Sequence, residues 1–373
     1  MRITPRLAAA AVLASAILAG FFAAPAASSA ATTAPPASCA TTVNATPQRA
    51  KIAVGTQFHG TWAELTDADR VCILNSMAAA GATWVRIDLG WTTIQPTARG
   101  QYDMAWGVPF VDKIFNMAHS RGLKVLATFW QTPQWASGST NKRVLPKDLN
   151  DYANAIKWAA NRWKTQVQAW EVWNEPNAKE FLYPPDATNY TKLLKAAYPA
   201  VHAGNPNAKV VFGGTMFVDT DWISAAYAAG AQGSFDVMGV HPYMGYANYG
   251  PEAIDRGRER MTHTAVLVDL MKAKGDSTKP IWFTEFGWST HANTATTPVW
   301  YLGVDEATQA DYLKRTLGMV QNRYAQVTNV FWYTSRDLAT GSIHPDNRGL
   351  MRRDFSPKPA LGAVRCYTLG TGC

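Results

Sequence analysis

The chain has 373 residues, of which 47% are hydrophobic and 17% charged, with a formal net charge of +8. Ample apolar content and charge below the roughly 25% of an average globular protein exclude an intrinsically disordered chain. The basic residues are scattered, and acids interrupt or flank the two clusters, Arg256-Gly257-Arg258-Glu259-Arg260 and Arg352-Arg353, so the stripe or patch of a nucleic-acid binder is missing.

The first element is a targeting segment. Arg2 and Arg6 precede an uncharged run from Leu7 to Phe22, and small residues follow through Ala31, the pattern of a secretory signal cleaved after Ala26 or Ala30. The run is 16 residues long, and a membrane span needs about 20. The mature protein is therefore expected to be secreted and extracellular, with no membrane attachment. Residues 1–30 are read as the signal and 31–47, rich in Ala, Thr, Pro and Ser, as a flexible lead-in. Residues 48–373 are read as one domain, since neither a Pro/Ser linker nor an internal repeat interrupts them.

From residue 51 onward strand-like and helix-like segments alternate. The predicted strands are Lys51–His59, Thr83–Leu89, Leu123–Trp130, Val167–Asn174, Lys209–Phe212, Phe235–His241, Ile281–Glu285 and Val327–Tyr333. The predicted helices are Asp67–Ala80, Tyr102–Arg121, Leu149–Lys164, Ala187–Ala203, Asp219–Ala229, Glu252–Lys274, Glu306–Arg323 and Pro359–Arg365. Strands such as VLATF and VVFG are almost wholly apolar, as parallel strands covered on both faces should be. Strict alternation of this kind predicts an α/β fold, a single (β/α)8 TIM barrel. The competitor is an open doubly wound sheet, and no GxGxxG follows the first strand to support it.

Such a barrel carries its active site at the C-terminal ends of the strands. Polar and aromatic residues gather there: Arg86 and Asp88, Trp130 and Gln131, Asn174 and Glu175, His241 and Tyr243, Glu285, Trp332 and Tyr333. The four cysteines, Cys39, Cys72, Cys366 and Cys373, lie toward the ends of the chain and away from both glutamates. An exported chain with an even count predicts two disulfides. Three pairings are possible, and Cys39–Cys72 with Cys366–Cys373 is the favoured one. No CxxC or clustered Asp/His spacing suggests a metal site, so neither a metal nor another cofactor is expected.

Two stretches carry the chemistry. Trp170-Glu171-Val172-Trp173-Asn174-Glu175-Pro176-Asn177 is a strand that ends in a carboxylate, because Pro176 has no N–H to give the sheet. Pro280-Ile281-Trp282-Phe283-Thr284-Glu285-Phe286-Gly287-Trp288 is a second apolar strand ending in a glutamate. Glycosidic bonds break through an oxocarbenium-like transition state that needs a proton donor on one side and a nucleophile or activated water on the other. Two carboxyl groups facing each other supply both, provided one stays protonated and the other ionised.

Asn174-Glu175-Pro176 at the fourth strand and Thr284-Glu285-Phe286-Gly287 at the seventh resemble the signature of the "4/7" superfamily of retaining glycoside hydrolases, over roughly residues 51–365. Val85-Arg86-Ile87-Asp88 with Trp91, and Leu126–Trp135, look more like family 39, with family 5 as runner-up. The resemblance implies Glu175 as acid/base and Glu285 as nucleophile, with carboxyl groups near the retaining separation of about 5–5.5 Å. It implies that Asn174 binds the sugar 2-hydroxyl, that Arg86 keeps Glu285 ionised, and that His241 and Tyr243 contact the nucleophile or the sugar. It also implies that Trp332 floors the sugar, often with a cis bond to Tyr333.

Strict alternation would put Asn174 and Glu175 on opposite faces, so the strand must leave register at its end. Arg86 and Asp88 share an inward face, with Glu171 as a competing partner for Arg86. A buried, satisfied imidazole is the alternative for His241. Trp130, Trp288 and Trp332 are the foremost sugar platforms, Asp88 joins the binding set, and packing is the alternative for each tryptophan. The function expected is retaining hydrolysis of an equatorial, β-D or α-L, linkage in a polysaccharide or oligosaccharide by a monomer. The alternatives are a carbohydrate-binding barrel without catalysis and a transglycosylase.

Overall fold

The computed structural model describes Cys39, residues 50–371 and Cys373; the signal segment 1–30 and all of the lead-in but Cys39 lie outside the described residues. Among the described residues no helix is long and apolar enough to cross a membrane.

Nine parallel strands follow one another: β1 (Ala53–Gln57), β2 (Trp84–Gly90), β3 (Lys124–Trp130), β4 (Val167–Val172), β5 (Lys209–Phe212), β6 (Thr215–Met216), β7 (Met238–His241), β8 (Ile281–Phe286) and β9 (Val327–Trp332). Their order in the sheet is β5-β4-β3-β2-β1-β9-β8-β7-β6. The edges meet where Val211 bridges to Val237, with the Phe212 amide donating to the Val237 carbonyl at 2.9 Å. The sheet is thus closed into a barrel. Gly213-Gly214 separate β5 from β6, so the two form one broken stave, and the staves number eight as the sequence predicts.

The barrel interior is layered. Trp84, Leu126, Ala169, Val211, Val237, Trp282 and Phe331 form a closed apolar cluster, one residue from each of seven staves, with Ala53 of β1 packed against it. One pleat further on, Arg86, Thr128, Glu171 and Thr284 replace this oil with polar groups, all buried. Their neighbours along the chain, such as Val85, Ile87, Val125, Val172 and Phe283, belong to the larger cluster under the helices. The period-two alternation of each strand therefore separates a helix-facing core from a lumen that turns polar toward the C-terminal end.

Helix boundaries largely follow the capping signals. Thr66 and Asp69 form a capping box at the start of the Asp67–Ala79 helix. Two predicted helices are shorter than expected. The second begins at Gly107, not Tyr102, because the Asp103 carboxylate accepts hydrogen bonds from the amides of Ala105, Trp106 and Gly107 and holds a turn there. The Glu252–Lys274 segment is helical only over Thr264–Ala273, preceded by two single 3-10 turns. Gly257 has φ +54° and Arg260 is extended, with its buried guanidinium 2.7 Å from Asp255, so the chain before Thr264 cannot wind continuously.

Both disulfides have the favoured pairing: Cys39–Cys72 with a Cα–Cα distance of 5.1 Å, and Cys366–Cys373 at 5.0 Å. They close sequence separations of 33 and 7 residues. By loop-closure entropy these are worth roughly 3.5 and roughly 2.5 kcal/mol. Urea denaturation of Cys39→Ala/Cys72→Ala should therefore show the larger loss of stability and Cys366→Ala/Cys373→Ala the smaller, with neither change altering the fold by circular dichroism.

Candidate active site

The polar layer is built around Arg86. It projects from the middle of β2 into the lumen and is wholly buried. Its Nε donates to Glu171 at 2.7 Å, Nη1 to Gln57 and to Glu285 at 2.7 Å each, and Nη2 to the Asn174 side-chain oxygen at 2.7 Å. One guanidinium thus ties together β1, β4, the tip of β4 and β8. Burial alone would lower its pKa, but Glu171 and Glu285 outweigh that and raise it. Burial likewise favours a neutral Glu171, yet Arg86, then His241 and the Thr128 hydroxyl at 2.6 Å, hold it below the ordinary glutamate range. Arg86 thus pairs with Glu171 and with Glu285 alike.

The two glutamates reach the lumen by breaking the strand period. β4 ends at Val172, and then Trp173 and Glu175 adopt left-handed backbone, at φ +73° and +40°. Trp173 swings outward into the core under the helices, its indole N–H donating to the Phe181 carbonyl. Asn174 and Glu175 can then both face inward, the departure from register that the sequence requires. In β8, Phe283 pairs with Val330 and Phe286 with Trp332, so three steps on one strand oppose two on the other. This bulge turns Thr284 and Glu285 to the lumen while Phe283 and Phe286 stay in the outer core.

His241 bridges the pair. Its Nδ1 lies 2.8 Å from Glu175 Oε1 and 3.9 Å from Glu285 Oε2. One oxygen from each carboxylate and one ring nitrogen fall within 4.8 Å of one another. His241 is held by Gly214, where a Cβ would sit 2.3 Å from Nε2, so only glycine fits between β5 and β6. The Tyr243 hydroxyl donates to Glu285 Oε2 at 2.9 Å. Burial raises both glutamates above the ordinary range; at Glu285 the Arg86 charge, the Tyr243 hydrogen bond and Arg348 oppose that rise, while the Glu171 charge adds to it. At Glu175 the opposing groups are chiefly His241, and the charge of Glu285 adds to the rise. Glu285 thus has a guanidinium and a phenol hydroxyl in direct contact that favour its ionised form.

A cleft opens over these groups. Asp88, Trp130, Asn174, Glu175, Tyr243 and Glu285 line it. Asp88 accepts from Gln57 at 2.7 Å, and burial pushes its carboxyl up to about 6. Trp130 packs beside Phe181, ring centroids 6.0 Å apart, at the cleft. Trp288 and Trp332 do not line it. Both are buried, with indole N–H groups donating to the carbonyls of Tyr249 and Arg348, and they pack on each other beneath the site. Trp332 is still in register in β9, opposite Thr56 and Phe286, and it is Tyr333 that reaches the cleft. The cis peptide bond accordingly falls one position later than expected, between Tyr333 and Thr334.

Sequence reasoning passed over Gln57, His59, His344 and Arg348. Gln57 and His59 end the first stave, so the strand-end rule could have found them. His59 packs on Trp62 with centroids 4.2 Å apart, and burial followed by Arg86 lowers its pKa to about 3, which leaves it neutral. His344 lies in the one-turn helix Ile343–Asp346 and Arg348 two residues beyond its end, in the segment after β9 where no periodicity marks them.

Residues 48–334 match the model of the cellulase family, glycosyl hydrolase family 5. Endo-1,4-beta-xylanase A of Phanerodontia chrysosporium is 28% identical over 185 residues, which cover 47% of this chain and 43% of that protein. The chain therefore spans less than half the length of this relative. A family 39 glycoside hydrolase from Bacteroides cellulosilyticus superposes with a TM-score of 0.65 at 24% identity, covering 85% of this chain and 64% of that one. A GH5_18 protein from Streptomyces cattleya, solved with GlcNAc, gives 0.65 at 21% identity, covering 85% and 80%. The fold is thus shared with both families that the sequence resembles, and the family model falls on the runner-up of the two. The chain belongs to the cellulase family, glycosyl hydrolase family 5, a family of O-glycosyl hydrolases built on this barrel.

Proposed function

We propose that residues 48–373 form an exported, monomeric catalytic domain that hydrolyses a β-linked polysaccharide or oligosaccharide with retention of configuration. The observation that carries this reading is the close approach of Glu175 and Glu285, with one oxygen of each carboxylate within 4.8 Å of the other. Inverting enzymes hold their carboxyl groups roughly 6.5–9.5 Å apart to admit a water, and retaining ones about 5–5.5 Å apart.

In this mechanism Glu285 attacks the anomeric carbon while Glu175 protonates the departing glycosidic oxygen. A glycosyl ester forms on Glu285 as the old C–O bond breaks. The ester removes the Glu285 charge that helped raise the Glu175 pKa, so Glu175, now deprotonated, takes a proton from water. The water then attacks the anomeric carbon and frees Glu285. Arg86 and Tyr243 hold the ionised nucleophile, His241 positions the acid, and Asn174 faces the sugar beside Glu285.

Mass spectrometry after incubation with activated 2-deoxy-2-fluoro glycosides should find the sugar on the peptide carrying Glu285. Labelling elsewhere, or inversion at the anomeric carbon by NMR, would sink the assignment. Glu175→Ala should slow natural substrates by at least about 100-fold, in line with loss of general acid–base catalysis. Azide should restore part of its turnover of activated aryl glycosides, and a null response would count against Glu175 as acid/base.

The pH profile tests the electrostatics. Activity needs Glu285 ionised and Glu175 protonated, so it falls at low pH as Glu285 gains a proton and at high pH as Glu175 loses one. Burial of Glu175 should carry the basic limb above the ordinary glutamate range. Tyr243→Phe removes a donor to the ionised form of Glu285 and should move the acid limb of kcat/KM upward by roughly one pH unit. An unmoved acid limb would show that the hydroxyl does not tune the nucleophile.

A further inference from the structure

Five cationic side chains in the described structure are buried: Arg70, Arg86, Arg260, Arg348 and Lys358. Four of them meet a carboxylate, at Asp67, Glu171, Asp255 and Asp337 respectively. Arg348 does not form an ion pair with any described residue. It is 8% exposed and lines the cleft together with Glu285. Its Nε is buried without a hydrogen-bond partner. Nη2 donates to Nε2 of His344 at 2.8 Å.

His344 cannot balance that charge. Burial, and then Arg348 itself, keep its pKa well below the ordinary imidazole range, so the ring is neutral. With Nε2 accepting from Arg348, the ring proton sits on Nδ1, 3.1 Å from the Tyr301 carbonyl. The guanidinium carbon lies 4.6 Å from the centroid of the Tyr243 ring and 5.9 Å from that of Tyr333. Tyr243 donates in turn to Glu285. A positive charge is therefore fixed one aromatic ring from Glu285, which it helps to keep ionised, and it makes no salt bridge with any described carboxylate.

A buried charge without a salt-bridge partner is unfavourable and persists where function requires it. A planar guanidinium that lines the cleft matches a carboxylate better than it matches a hydroxyl. We propose that Arg348 anchors an anionic subsite, and that the glycan this cleft accepts carries a uronic acid at the sugar beside Glu285. The inference rests on the reading of the cleft as a glycan site, and it narrows the substrate from any β-linked glycan to an acidic one.

The test uses aryl β-glucuronide, β-galacturonide and β-mannuronide, each against the neutral parent from which it differs only at C6. Calorimetry on Glu175→Gln protein, which retains Glu285 and its neighbours, should show at least one uronide bound about 30-fold or more tighter than its parent. Adding Arg348→Gln should erase that preference, while adding Arg348→Lys, which keeps the charge but loses the fork, should retain only part of it. Equal binding within all three pairs by Glu175→Gln protein overturns the proposal whether or not the double variants fold. So does a preference that survives Arg348→Gln, or an equal loss of uronide and parent binding, which would mark Arg348 as a support for Glu285 alone. Uronide preference without turnover by the wild type would leave the subsite standing and remove the hydrolase reading. Turnover of neutral glycosides alone would do the reverse.

Discussion

The hydrogen bonds of the Arg86 guanidinium are the constraint on which the catalytic face depends. Four residues from separate positions around the lumen converge on it: Gln57, Glu171, Asn174 and Glu285. A hydrophobic layer would pack this part of the barrel as well, and buried ion networks are often neutral or worse for stability than apolar replacements. The network is better understood as a positioning device. It fixes the side chain of Asn174 and one oxygen of Glu285 from a single rigid plane, leaving the other Glu285 oxygen to Tyr243. Such preorganised dipoles need no rearrangement when charge shifts during a reaction.

The layering beneath makes the network possible. Seven staves give one apolar residue each to a closed plug, which seals the N-terminal end of the lumen and lowers the local dielectric. Above it the staves switch from oil to polar groups within one pleat. In that setting burial raises Glu175, Glu285 and Asp88, while Arg86 pulls Glu171 the other way. The site thus holds several carboxyls at unequal proton affinities, which acid–base chemistry near neutral pH requires. His59, buried beside Asp88 and neutral, adds no charge to compete with this arrangement.

The two glutamates occupy the places where regular strand geometry fails. Left-handed backbone at Trp173 and Glu175 and a bulge before Phe286 both interrupt period-two alternation. Each break turns two successive residues to the same side: Asn174 with Glu175, and Thr284 with Glu285. Irregular backbone at a functional site is expected where local preferences yield to the geometry of the chemistry. The Gly213-Gly214 break between β5 and β6 serves the same end, since it makes room for the His241 ring that bridges the pair.

The sequence by itself determined the eight staves, the closed architecture and the two strand-end glutamates, because these follow from local signals, whereas it left three cysteine pairings open. Apolar runs of strand length, capping residues, Pro176 and Gly287 each act within a few positions of the chain. Tertiary structure alone decided which side chains meet. Arg86 could be placed inward by alternation, but its simultaneous grip on Glu171 and Glu285 requires closure of the barrel. Trp288 and Trp332 read equally well as platforms or as packing, and the choice was made by how β8 and β9 pair and by the loops that accept their indole N–H groups. Arg348 and His344 lie in and just after a one-turn helix that no periodicity marks, so their place in the cleft is set by long-range contacts that no local pattern encodes.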